Sequence, residues 1–252
     1  MDENTGILQS TVVFADGRHK ETEARVLREH TLTVTVKERR IFFLVCTKSH
    51  LRELVAGRLL TEGLIASKED IVKMTFCPHE YEASVFLKKD LTLRENQKPE
   101  GSCCTENRTF LSGVHYRKMK TVPKAAVVPD RVFQLAAVFA RDKGLHSLTQ
   151  GTHSCILERD GEILFSCEDI GRHNALDKAV GYALLHDISL SECMVYTSGR
   201  VPVDMAEKAI MAGIPVLVSK SVPTADAVRM ANDYGLSLIC RAWPDSFEIY
   251  SE

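Results

Sequence analysis

The sequence predicts an α/β protein whose C-terminal half is a layered sheet with several parallel neighbours, preceded by a smaller β-rich α+β region. Three observations carry that prediction. Beyond residue 190, short apolar runs of strand length alternate with helix-length amphipathic segments, the pattern of parallel strands joined by helices. Before that, Asp160-Gly161 sits between two apolar runs as a hairpin turn signal. The chain of 252 residues is 44% hydrophobic and 26% charged, enough apolar material for one large or two modest domains.

In chain order, Thr31–Val36 alternates like a strand, and Ile41–Cys46 is a short apolar run. Leu51, Leu54, Val55 and Leu59 fall on one helical face that ends near Gly63. Ile71–Cys77 and Ala83–Leu87 suggest two more strands. These elements define a β-rich N-terminal region, residues 1–95. From Lys89 to about Pro129 the periodicity fades, and residues 96–128 read as a flexible connector carrying the adjacent pair Cys103-Cys104.

The α/β domain is expected over residues 129–252. Asp130 can cap a helix whose core face is Val132, Leu135, Ala136 and Phe139, stopped by Gly144. The hairpin Ser154–Glu158 and Glu162–Cys167 follows. An amphipathic helix then carries Leu176, Ala179, Val180, Ala183 and Leu184 on one face. Strands at Met194–Thr197, Pro215–Ser219 and Leu236–Cys240 alternate with helices near Val203–Ala212 and Thr224–Tyr234.

A net charge of −2 gives no global attraction to nucleic acid or an anionic membrane. No apolar stretch is long enough to span a bilayer, and the N-terminus lacks a signal-peptide pattern, so a cytoplasmic location is expected. Most of the eight cysteines lie in apolar runs and read as reduced core residues. Cys103 and Cys104, in a polar stretch near Arg108, are the candidates for a reactive thiol.

Four polar clusters lie where strands end and helices begin: Thr149–His153, Glu168–Asn174, Ser198-Gly199-Arg200, and Ser219–Ser221 with Pro223-Thr224. Ligands collect at the carboxyl ends of strands in open α/β sheets, and helix N-termini attract anions. Gly171 and Gly199 would let backbone approach a ligand, while Arg172 and Arg200 supply forked donors. The plainer alternative makes Asp169, Asn174 and Thr224 helix caps, Gly171 and Gly199 turn formers, and Arg172, His173, Asp169 and Asp177 a solvated ion-pair patch. The density of five ionisable groups and an asparagine within Glu168–Asp177 favours the functional reading. His153 and His173 lack partners at zinc-site spacing, and the zinc-deaminase signature, a Walker loop and a Gly-x-Gly-x-x-Gly fingerprint are absent.

Glu168-Asp169-Ile170-Gly171-Arg172-His173-Asn174-Ala175-Leu176-Asp177-Lys178 closely resembles the signature of the FdhD-type formate dehydrogenase accessory proteins. Ala56–Ile65, Thr197–Val201 with Met205, Lys208 and Ala209, Gly213-Ile214-Pro215, Pro223-Thr224 and Phe247-x-Ile249-Tyr250 resemble further elements of that family, in order. The resemblance implies a cytidine-deaminase-like three-layer α/β/α C-terminal domain without zinc, in a protein that is typically a homodimer. It implies a sulfurtransferase: a cysteine desulfurase loads a persulfide onto a loop cysteine, which passes sulfur to the molybdenum (or tungsten) bis-guanine-dinucleotide cofactor before insertion into apo formate dehydrogenase. Cys103, with Cys104 as helper, is then the expected catalytic position. The expected cofactor-binding set is His153, Asp169, Gly171, Arg172, His173, Asn174, Ser198, Gly199, Arg200, Ser219, Thr224 and Arg241, with Arg172, His173 and Asn174 facing the ligand.

The chain departs from the family pattern at three places, one of them Thr149-Gln150-Gly151-Thr152-His153, which stands for a usual Thr-Gly-Gly-x-His. Gly101-Ser102-Cys103-Cys104-Thr105-Glu106-Asn107 stands where Gly-x-Cys-Gly-x-Cys-Gly is usual, and Arg241–Ser246 replaces a basic, glycine-containing loop. A non-catalytic cofactor-binding chaperone is the competing expectation, and a zinc deaminase the third.

Overall fold

A computed structural model describes residues 3–89, 95–102, 107–111, 119–141 and 144–252, with 95–102 and 107–111 described through their backbone. An N-terminal hairpin, β1 (Thr5–Val13) and β2 (His19–Leu27), forms a two-stranded ribbon of its own. β3 (His30–Val36) and β4 (Arg39–Cys46) pair antiparallel, and α1 (Leu51–Thr61) follows. β5 (Ile71–Phe76), β6 (Glu82–Leu87), β7 (Glu95–Ser102) and β8 (Asn107–Leu111) complete a six-stranded sheet ordered β5-β6-β3-β4-β8-β7.

The second half begins with α2 (Pro129–Arg141) and the short α3 (Leu145–Thr149). β9 (His153–Arg159) and β10 (Glu162–Asp169) form the expected hairpin. Asp160 and Gly161 have φ of 54° and 86°, the two positive values that a type I′ turn requires. Then come α4 (Arg172–Leu185), β11 (Met194–Thr197), α5 (Val203–Ala212), β12 (Val216–Ser219), α6 (Ala225–Tyr234), β13 (Ser237–Cys240) and β14 (Glu248–Ser251). The second sheet is ordered β10-β9-β11-β12-β13-β14, with β11, β12 and β13 mutually parallel.

Strand alternation sorts this sheet's side chains into two cores. Ile156, Met194, Tyr196, Val216, Val218 and Ile239 meet Val132, Leu135, Ala136 and Phe139 of α2. Cys155, Leu157, Val195, Leu217, Leu238 and Cys240 belong to a larger cluster. That cluster also takes in Leu32, Val34, Ile41 and Leu44 of the first sheet, with Leu54 and Leu59 of α1 and Leu176 and Val180 of α4. One apolar core thus joins both halves of the chain.

Several expectations change. The β1–β2 ribbon was not foreseen, because neither of its faces is buried enough to give a clean period of two. Two strands, β7 and β8, lie where a structureless connector was expected; their sequences, ENQKPEGS and NRTFL, have little of the apolar alternation that marks a strand. The first helix of the second half begins at Pro129, so Asp130 lies inside its first turn, where a carboxylate suits the helix dipole. Finally, α4 is not amphipathic: every residue from Arg172 to Gly181 is buried, polar ones included.

Candidate functional site

The burial of α4 explains its polar sequence. At its N-terminus Asp169, fully buried, pairs with Lys178 Nζ at 2.7 Å. One carboxylate oxygen accepts the backbone N–H of Thr47 at 3.0 Å; the other accepts the Gly171 N–H at 3.0 Å and Asn174 Nδ2 at 2.9 Å. Asn174 also donates to the Val45 carbonyl at 2.8 Å, and Lys178 to Thr47 Oγ1 at 2.7 Å. Asp169, Asn174 and Lys178 therefore tie the start of α4 to the end of β4. Asn174 does not face a ligand: its side chain is turned into the protein, because the β4 carbonyl and Asp169 use its amide hydrogens.

One turn along, Asp177 is fully buried and accepts from Lys208 Nζ at 2.9 and 3.0 Å and from Thr61 Oγ1 at 2.7 Å. Arg58 lies 3.5 Å from the same carboxylate and 3.0 Å from Glu62, and its guanidinium stands 5.3 Å from the Phe42 ring centre. Two cations and two anions balance here, Asp177 fully buried and Glu62 partly exposed at the margin, joining α1, α4 and α5. Gly57 and Gly181 let α1 and α4 approach closely enough for this.

His173 is likewise buried, its Nε2 2.8 Å from Asp204 of α5. Burial pushes its pKa down, opposed by the bond to Asp204. Arg172 packs across Gly199, where a Cβ would lie 2.7 Å from the arginine Cβ. Gly199 thus makes room for Arg172. Ser219 Oγ donates to the Gly199 carbonyl at 2.7 Å and accepts the Ser221 N–H at 2.9 Å. Thr224 caps α6 by accepting the Ala227 N–H at 3.3 Å. Arg200 is exposed and does not line the cavity described next.

Beside this framework, near the carboxyl ends of β11, β12 and β13, opens a cavity of about 560 Å³. Its walls include His146, Thr152, His153, Ser198, Lys220 and Arg241, with Phe139 and Trp243 as aromatic surfaces. Lys220 Nζ stands 5.1 Å from the Phe139 ring centre and 5.0 Å from that of Trp243, a cation held between two π faces. The Trp243 loop is pinned to β12: the Ala242 N–H donates to the Ser219 carbonyl at 3.0 Å and the Arg241 N–H to that of Ser221 at 2.8 Å. His153 lies 3.4 Å from Ser198 Oγ, and burial, then the charge of Arg172, push its pKa below the ordinary 6.5. No carboxylate lines the cavity among the described residues.

Glu168 shapes this cavity from behind. Its carboxylate accepts the N–H groups of Leu145 and His146, the latter at 2.7 Å, and the Thr152 hydroxyl at 3.1 Å. It thereby caps the short α3 and holds the wall residues His146 and Thr152 together. His146 Nδ1 donates in turn to the Thr152 carbonyl at 2.6 Å.

Of the residues expected from sequence, His153, Ser198 and Arg241 meet on the cavity wall. Asp169, Gly171, Arg172, His173, Asn174, Gly199, Ser219 and Thr224 form the support just described. Cys103 and Cys104 lie outside the described residues. Sequence reasoning gave no site role to Phe139 (read as a core residue), His146, Thr152, Lys220 or Trp243; the polar clusters at Thr149–His153 and Ser219–Ser221 signalled Thr152 and Lys220, the single tryptophan signalled Trp243, and nothing local signalled the other two.

The FdhD/NarQ family model matches residues 27–252. Sulfur carrier protein FdhD of Geobacillus kaustophilus is 34% identical over 245 residues, covering 94% of this chain and 92% of the relative. That of Bacillus subtilis is 31% identical over 246 residues, with the same coverage. The crystal structure of a protein assigned as a formate dehydrogenase accessory protein, from Desulfotalea psychrophila, superposes with a TM-score of 0.80 at 24% identity, over 98% of this chain and 97% of the other.

Proposed function

The chain belongs to the FdhD/NarQ family, and from that premise we propose that it is a sulfur carrier serving the maturation of formate dehydrogenase. In the finer reading, the Cys103 thiolate attacks the outer sulfur of a persulfide on a cysteine desulfurase. The S–S bond breaks, the desulfurase thiol departs, and Cys103 holds the persulfide. The sulfur then passes to a reduced molybdenum bis-guanine-dinucleotide cofactor, a substrate held for apo formate dehydrogenase: the persulfide S–S bond breaks, the Cys103 thiolate leaves, and the metal centre supplies the two electrons that take the outer sulfur to sulfide. Cys104 is the auxiliary thiol. A cytoplasmic protein and a deaminase-like strand arrangement in the second sheet belong to the same reading.

The cavity is the observation that carries the nucleotide part. A guanine base suits the π surfaces of Phe139 and Trp243, and phosphates suit Lys220 and Arg241 in a site lined by no carboxylate. His153, held neutral, offers a hydrogen bond without adding charge.

The single tryptophan makes binding directly readable. GDP should quench Trp243 fluorescence saturably, and Lys220→Met should weaken binding by about tenfold, the value of one desolvated cation contact. The absence of any saturable change would remove the nucleotide reading. Mass spectrometry after anaerobic incubation with a cysteine desulfurase and cysteine should show one added sulfur, lost in Cys103→Ser and kept in Cys104→Ser. Undiminished formate dehydrogenase maturation with Cys103→Ala, nucleotide binding being kept, would instead make the protein a non-catalytic chaperone.

A further inference from the structure

Among the described residues, eight other than glycine hold a positive φ. Lys37, Glu38, Glu80 and Asp160 do so in hairpin turns, whose geometry asks for it, and His50 and Asp187 flank α1 and α4. The other two, Gln150 and Arg241, at φ 54° and 48°, both stand on the cavity wall. Glycine adopts this conformation freely, whereas a Cβ crowds its own backbone there. Each residue is held in place by its main chain. The Gln150 N–H donates to the His146 carbonyl at 2.7 Å, and the Arg241 N–H to that of Ser221 at 2.8 Å. Strain of this kind persists where the surroundings over-determine it, and it gathers at ligand sites. The Gln150 side chain is exposed and makes no hydrogen bond among the described residues, so no contact of the fold accounts for it.

Sheet order lays out the cavity. β9 starts at His153, while Ser198, Lys220 and Arg241 each directly follow the last residue of β11, β12 and β13. β9 runs antiparallel to β11, so all four residues stand at one end of the sheet, in the order β9-β11-β12-β13. From β9 to β13 is three strand spacings, about 14 Å. The permanent charges, Lys220 and Arg241, stand on the β12–β13 side. Gln150 and Thr152 lie just ahead of β9, beside His153, which burial keeps neutral. We infer that Gln150 is a specificity-determining residue that reads the base of the bound nucleotide, with its phosphates at Arg241 on the other side; this rests on the nucleotide reading above. An amide sets a donor beside an acceptor, as the edge of a guanine base does, but it cannot neutralise a phosphate. A phosphate at Gln150 would lie far from both cations. The strained backbone at Gln150 is thus retained for the side chain it carries, not for the turn it makes.

Isothermal titration of the full chain with GDP, guanosine and inorganic pyrophosphate separates the two ends of the ligand. Gln150→Gly should weaken GDP and guanosine about fivefold, the worth of roughly one neutral hydrogen bond, and leave pyrophosphate unchanged. Gln150→Leu, which keeps the bulk without the amide, should do the same. Arg241→Met should show the reverse pattern, weakening GDP and pyrophosphate and sparing guanosine. Gln150→Gly should also raise the urea midpoint, because glycine relieves the left-handed backbone. A lower midpoint together with weaker binding would make Gln150 a structural part of the α3 turn and overturn the inference. So would equal losses for guanosine and pyrophosphate, or native GDP affinity in both Gln150 variants. A native chain that binds no GDP would sink the nucleotide reading and this inference together.

Discussion

Gly57 of α1 and Gly181 of α4 meet at a helix crossing so close that a Cβ on either would lie 1.8 Å from a backbone oxygen of the opposite helix. The oxygens are those of Asp177 and Glu53, and backbone cannot move aside as the tip of a side chain can. Gly57→Ala and Gly181→Ala should each destabilise the fold by about 3 kcal/mol or more, at the upper end of overpacking. A urea titration followed by circular dichroism checks this. Gly17→Ala is the control for backbone strain alone, since at φ 84° it meets nothing within 4 Å.

The crossing brings Arg58, Thr61 and Glu62 beside Asp177 and Lys208, and the four charges depend on one another. Lys208→Met leaves the buried Asp177 with only the more distant Arg58, 3.5 Å away, as a cationic partner. Removing one member of a buried pair costs about 3–5 kcal/mol, so this variant should unfold at markedly lower urea. Asp177→Leu should cost as much. The double variant should cost clearly less than the sum, because an apolar pair leaves no uncompensated charge between them. Strict additivity in this cycle would show that the two side chains do not interact.

These contacts show where sequence reading succeeds and where it stops. The β9–β10 hairpin and the helices α5 and α6 were legible because turn chemistry and periodicity are local. The polarity of α4 was misleading, because its charged residues answer partners more than a hundred positions away: Thr47 for Lys178, Arg58 and Thr61 for Asp177. The cavity was half visible for the same reason. His153 and Ser198 stand at strand ends, where ligands are expected. Lys220 gains its meaning only from Phe139 and Trp243, which approach it from different parts of the chain.

Three histidines tie stability to pH in one direction. Burial pushes the pKa values of His50, His153 and His173 below 6.5; the charge of Arg172 adds to this at His153, while Asp204 opposes it at His173. The unfolded chain therefore binds protons near pH 6.5 that the folded chain refuses until lower pH. Their neutral forms leave stability intact above that value, and it falls as pH drops from there toward the folded pKa values. Urea midpoints should decline from pH 7.5 to pH 5.5. His153→Gln should flatten part of that slope, whereas an identical slope in this variant would show that His153 does not contribute.

Glu168 gives a way to separate shaping the cavity from touching its ligand. Its carboxylate accepts the N–H groups of Leu145 and His146 and the Thr152 hydroxyl, so it holds α3 against the cavity without lining it. Glu168→Gln has nearly the same shape, but it replaces charge-assisted bonds with neutral ones and turns one acceptor into a donor facing N–H groups. The expected loss is about 1–2 kcal/mol of stability, similar to losing a helix cap. Thr224→Ala removes a true cap, on α6, and should cost a comparable amount. The two variants should part in their effect on binding. Faster amide exchange over residues 145–152, with weaker quenching of Trp243 by GDP, is expected for Glu168→Gln alone. Equal GDP affinity in the two variants would show that the order Glu168 imposes on α3 is not what the cavity uses.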